Sequence, residues 1–283
     1  MNSHIYNAKY KAEVAKYGRK DAIIALCYVV YVCAMSYFLV PSHIASNIIV
    51  ALDFSAGLGT IGLNILFNFT TFIVMLAPFF VYMLITGQKL ASIGFRKKHL
   101  GAALCLGLAF SAIALVLTYR GLLPGLIQGG QLNSFGILML LLLQTLLAAA
   151  WEDILFSGYI QTRLYGLIRH DVLAVFIGAV LFGAMHIPSR VPQYGLSALG
   201  GLVSLEMIGW IGMHSVWNLL FRRHFSIFPV IMMHTFWNMA QARLWADPLP
   251  PGLNETASFA IIILAAGIWA FYTRRKGKKA SAS

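Results

Sequence analysis

Eight apolar runs of roughly membrane-spanning length constrain this chain more than any other feature of its sequence. They are Ala22–Val40, Ile61–Ile85, Leu100–Tyr119, Phe135–Phe156, Val172–Ile187, Leu196–Phe221, Ile227–Ala242 and Ala257–Tyr272. About 20 helical residues cross the roughly 30 Å of hydrocarbon in a bilayer. Within it, every backbone N–H and C=O must be paired inside the segment, which selects helices. The fifth run and the last two are short for a full span, so re-entrant or tightly bundled segments are expected there. With 59% hydrophobic and 11% charged residues over 283 positions, too little polar sequence remains for a separate water-soluble domain. The expected fold is an all-α polytopic bundle of about eight transmembrane helices.

A net charge of +12 raises the question of a nucleic-acid partner. The distribution of that charge answers it differently. With the first span entering from the inside, all but three of the 21 basic residues fall in cytoplasmic segments, the exceptions being Arg120, Arg190 and Arg243. Both termini are therefore predicted to be cytoplasmic, with their basic ends against anionic headgroups of the lipid bilayer. No nucleic-acid partner is expected. The chain divides into a basic N-terminal segment (1–21), N-terminal membrane helices (22–133), a core of membrane helices (134–245), and a last helix with a basic tail (246–283). The first apolar run is span-length behind a long basic region, which suits an uncleaved anchor. Cys27, Cys33 and Cys105 match no zinc or redox spacing and read as small packing residues.

A charged side chain at mid-bilayer costs about 2.5 to 3.5 kcal/mol on insertion scales, so each one needs a partner or a purpose. Within the runs the acids are Glu152, Asp153 and Glu206, the histidines His186, His214 and His234, and the amides include Asn64, Asn68, Asn218 and Asn238. Adjacent helical residues point about 100° apart, so Glu152 and Asp153 are expected to serve different ends, one facing a cavity and the other bracing a neighbour. His186 closes its run just before Pro188, where the helix must stop. His234 and Asn238 stand one turn apart on one face, and two neutral donors aimed at one point suit the oxyanion of a peptide carbonyl under attack. HSVWN at His214–Asn218 has the same spacing as HTFWN at His234–Asn238, and spacing alone does not separate the two.

WEDILFSG, FGAMH and HTFWN, in that order, resemble the three signature motifs of the CPBP family. That family comprises CAAX prenyl endopeptidases and bacteriocin-processing or immunity enzymes, and is also called Abi. Its pattern is EExxxR, then FxxxH, then HxxxN. Phe182 with His186 matches the second motif and His234 with Asn238 the third, over a resemblance running from about Leu146 to Gln241. The basic turn before His234 assigns the third motif to HTFWN. His214 and Asn218 are left as supporting or packing residues, with Glu206 as a partner for His214. In the first motif Asp153 replaces the second Glu and Ser157 stands where Arg is usual. Asp153 is then expected either to be neutral or to bond Ser157, four residues along the same face, and Arg163 is too far along the helix to replace the missing cation.

The resemblance implies an intramembrane endopeptidase acting on a membrane-associated protein or peptide in a bacterial-type plasma membrane. Glu152 would activate a water, His186 would help to orient and deprotonate it, His234 and Asn238 would hold the oxyanion, and Asp153 would support them. No cofactor is expected, although Glu152, His186 and His234 also make up a set of donors known from catalytic zinc sites with an open water position. Two rival readings remain at this level. A proton-coupled transporter also buries Glu, Asp and His, but spreads them over two halves, whereas here they cluster between the fourth and seventh runs. A catalytically silent immunity or scaffold protein is consistent with the missing Arg.

Overall fold

The computed structural model describes residues 7–39, 59–96, 100–119 and 134–242, and among these there is no strand. The helices are α1 (Ala8–Val14), α2 (Arg19–Leu39), α3 (Gly59–Ile85), α4 (Leu100–Tyr119), α5 (Phe135–Asp153), α6 (Asp171–Ala184), α7 (Leu205–His224) and α8 (Phe228–Ala242). Helix α5 runs on without a break through a π-helical stretch, Ile154–Ile160, and a last turn, Gln161–Leu164. Among the described residues, four segments, Arg19–Leu39, Gly62–Ile85, Phe135–Leu164 and Asp171–Arg190, are long and apolar enough to cross a membrane. The protein is an all-α membrane helix bundle. Seven of the eight apolar runs coincide with described helices, and Ala257–Tyr272 lies outside the described residues.

Two boundaries differ from expectation for local reasons. The sixth run does not begin as a helix at Leu196. Gly195–Val203 is 3-10 helical, and α7 starts after Ser204, whose side chain accepts from the Met207 N–H at 3.1 Å and so caps the first turn. The fourth run extends beyond Phe156 because the π stretch carries the helix past Gly158. Thr162 donates to the Gly158 and Tyr159 carbonyls at 2.8 and 2.9 Å, serving acceptors at the point where the hydrogen-bond register changes. All seven π-helical residues are buried.

Packing explains how a proline survives inside α3. Pro78 has no N–H to offer the Val74 carbonyl one turn earlier, and Tyr31 on α2 donates to that oxygen instead at 2.7 Å. Tyr28 donates to the neighbouring Met75 carbonyl at 2.9 Å. Two phenols thus stitch α2 to α3 beside the proline. Helices α4 and α8 pack face to face at Gly107, where a Cβ would come within 2.7 Å of the Phe236 ring and 3.0 Å of the Met232 carbonyl oxygen. Helices α6 and α7 form a second close pair, and α5 packs against both α3 and α8.

The basic end of the bundle is tied by polar anchors. Arg163 is fully buried at the end of α5, where it donates to Gln88 and to Ser92 (3.0 Å) and stacks over the rings of Tyr17 (4.1 Å) and Tyr159 (4.7 Å). It does not approach the α5 carboxylates, in keeping with its distance along the helix. The α7–α8 turn places Phe225 at φ 47°, a left-handed conformation that a bulky residue adopts only when its surroundings impose it. The constraint is visible. The Phe225 ring is fully buried against Tyr10 and Phe221, the Arg96 guanidinium lies 4.4 Å from it, and Ile227 N–H donates to Gly94 O at 2.9 Å. This turn sets the start of α8 and therefore the depth of His234.

Candidate active site

Glu152 and Asp153 close the regular part of α5, immediately before the π stretch. Across from them, six residues into α8, stands His234. Its Nδ1 lies 3.1 Å from Asp153 Oδ2 and its Nε2 lies 3.7 Å from Glu152 Oε2. Adjacent acids that point about 100° apart thus meet the two nitrogens of one imidazole. Asp153 is fully buried, while 15% of the Glu152 side chain remains accessible. The Nδ1 contact is a hydrogen bond, and the 3.7 Å separation at Nε2 is too long for one. Nδ1–H donating to a carboxylate fixes the orientation of the ring and leaves Nε2 as its working nitrogen.

The indole of Trp217 locks the same ring from another side, stacked on His234 at 4.2 Å between centroids with 27° between planes. Trp217 comes from α7, inside the HSVWN stretch. It was not singled out from the sequence, and the only signal for it was an aromatic three residues after a histidine in a copy assigned to packing. Asn238 lies one turn beyond His234, half-buried and without a hydrogen-bond partner among the described residues. Its amide is therefore uncommitted.

His186 follows α6 by two residues, in the turn that the 3-10 segment Pro188–Arg190 completes. Its Nδ1 lies 3.0 Å from the Phe182 carbonyl oxygen, so Nδ1 carries the proton and Nε2 is available. The ring stacks on Trp210 at 4.2 Å with 22° between planes. Phe182 joins the two histidines, its ring centroid 5.2 Å from that of His186 and 6.2 Å from that of His234. The three motif segments thus meet around one phenyl ring.

Three finer expectations are corrected. Glu206 does not serve His214; it forms a two-pronged ion pair with Arg190 at 2.7 and 2.8 Å. His214 lies two turns further along α7, stacked on Phe182 at 4.1 Å with 2° between planes. Ser157 approaches Asp153 without closing a well-formed hydrogen bond. In the widened π turn a residue four positions on no longer sits directly above its predecessor, so the serine does not replace the missing arginine. His234, finally, is not a free donor beside Asn238, because its Nδ1 is committed to Asp153. As to a metal, no group of three His, Cys, Asp or Glu side chains among the described residues is placed to hold one.

Residues 134–240 match the family model of Type II CAAX prenyl endopeptidase Rce1-like proteins. This region contains all three motif segments, and the apolar helices described above mark an integral membrane protein. No curated protein and no solved structure matches the chain.

Proposed function

We propose that this protein is an intramembrane endopeptidase that hydrolyses a peptide bond in a membrane-associated protein or peptide. The observation that carries the reading is His234 held between Asp153 and Glu152. In the proposed reaction the accessible Glu152 carboxylate takes a proton from a water that His186 helps to orient, and the resulting hydroxide attacks the scissile carbonyl carbon. The oxyanion is received by the Asn238 amide and by His234 Nε2–H. His234 donates there only when both of its nitrogens carry protons, and the two neighbouring carboxylates supply the counter-charge for that cation. Donors already fixed in a water-poor site stabilise developing charge without reorganising. Glu152 then passes its proton to the leaving amine as the C–N bond breaks. The chain is read as multi-pass, with both termini in the cytoplasm, as the basic segments indicate.

The test is hydrolysis of a peptide ending in a prenylated cysteine motif, and of its unprenylated form, by the full chain in lipid nanodiscs. Wild type is expected to cleave, Glu152→Gln to be inactive and His234→Ala to lose about 10² to 10³-fold in rate, both retaining the wild-type melting temperature. Hydrolysis that survives both substitutions would remove the assignment.

A further inference from the structure

Phe182, His186 and Arg190 are spaced four apart along α6 and its C-terminal extension, and Glu206, Trp210 and His214 are spaced four apart along α7. The two series run antiparallel and meet as three rungs. Phe182 stacks on His214 at 4.1 Å, His186 stacks on Trp210 at 4.2 Å, and Arg190 grips Glu206 at 2.7 and 2.8 Å. The rungs are also joined lengthwise, since the Arg190 guanidinium lies 5.1 Å from the Trp210 ring, within cation–π range.

Nothing in the proposed reaction uses Arg190, Glu206 or Trp210, yet they surround His186 where its own backbone offers least support. Regular helix ends at Ala184, so His186 stands on a turn. One hydrogen bond from Nδ1 fixes where the ring edge points but not its rotation about that direction. The stacked indole fixes the plane. The indole is in turn held by a guanidinium whose fork is set by a carboxylate on the same helix as the indole. Isolated ion pairs near a surface contribute little to stability, and this one is about a third exposed on either side. Its significance therefore lies in geometry.

We propose that Arg190 is a positioning residue that sets the plane of His186 through Trp210, with Glu206 fixing Arg190. The proposal rests on the assignment of His186 to the hydrolytic site. Two measurements test it. In histidine-labelled full-length protein in nanodiscs, ring-current shifts place the His186 ring protons against an indole face. Those shifts are expected to collapse in Trp210→Leu, to change in Arg190→Ala and Glu206→Gln, and to be retained in Glu152→Gln. Unchanged shifts in Arg190→Ala would overturn the proposal whether or not a substrate is at hand.

In steady-state hydrolysis, Arg190→Ala and Trp210→Leu are each expected to lower kcat by about ten-fold or more, with KM within about two-fold, because small misplacements of an orienting group act on the chemical step. Trp210→Phe, which keeps an aromatic face, recovers most of the rate. The double substitution Arg190→Ala/Trp210→Leu falls no further than the worse single one, as for residues acting in series. Additive losses, or a kcat within two-fold in Arg190→Ala, would refute the ladder. An active Glu152→Gln would instead remove the hydrolytic assignment and leave the ring-current result standing.

Discussion

His234 and His214 head the same HxxxN spacing twenty residues apart, yet their surroundings are opposite. His234 has a carboxylate toward each nitrogen, and its helix partner Asn238 is half-buried and uncommitted. His214 and Asn218 are completely buried, and none of their four polar atoms has a hydrogen-bond partner. Both rings are stacked on an aromatic face, His234 on Trp217 and His214 on Phe182, but only His234 also meets carboxylates at its edge. Identical residues at identical spacing become different devices according to which helix lies opposite. Helix α8 faces the α5 acids, while this part of α7 faces the aromatic side of α6.

The sharpest way to break that contrast is to substitute the two histidines in parallel. His234→Ala is expected to lower kcat/KM by about 10² to 10³-fold, the usual effect of losing a preorganised donor. His214→Phe keeps a flat ring for Phe182 and is expected to stay within about three-fold of wild type. Similar losses in the two variants would mean that the copies share the work. Asp153→Asn comes next, with an expected loss of about 10²-fold or more at unchanged melting temperature, because an amide no longer holds the Nδ1–H form of His234. A full rate in that variant would show that Glu152 alone orients the ring.

The asparagines divide along the same line. Asn238→Ala is expected to slow hydrolysis by about ten-fold with little change in stability. Asn218→Leu is expected to leave the rate within about two-fold and to stabilise the protein by about 1 kcal/mol in a denaturation series, since it removes buried groups that have no partners. A destabilised Asn218→Leu would show that the amide has a partner after all.

A further contrast separates the helix pairs that carry the two copies. Gly107→Ala is expected to cost about 1 to 3 kcal/mol and to reduce activity, because the new methyl meets α8 backbone at Met232 as well as the Phe236 ring. Gly183→Ala meets only the end of the Met207 side chain, which can move aside, and should cost less than about 1 kcal/mol. Equal penalties from the two would indicate that α6–α7 is packed as rigidly as α4–α8.

Much of this was legible in one dimension, and the limits of legibility have physical causes. Hydrocarbon admits only internally bonded backbone, so apolar run length located the helices, and the cost of burying Glu152, Asp153, His186 and His234 marked them as residues with a purpose. The boundary at Leu196 was misread because apolarity does not distinguish a 3-10 connection from a helix. The pairing of Glu206 was misread because reach along a single helix favoured His214, while the true partner, Arg190, lies on another segment. The π stretch after Asp153 left no mark in composition, yet it decides that Ser157 does not close on that acid.

By itself, then, the amino-acid order determined that this is a membrane helix bundle and which few polar side chains hydrocarbon would not tolerate idle. Only the tertiary structure decided which imidazole nitrogen meets which carboxylate, which HxxxN faces the acids, and which aromatic ring holds each histidine. Periodicity places a side chain on a face of its own helix, but what that face meets is set by helix packing at points such as Gly107 and the α7–α8 turn, contacts between segments far apart in the chain.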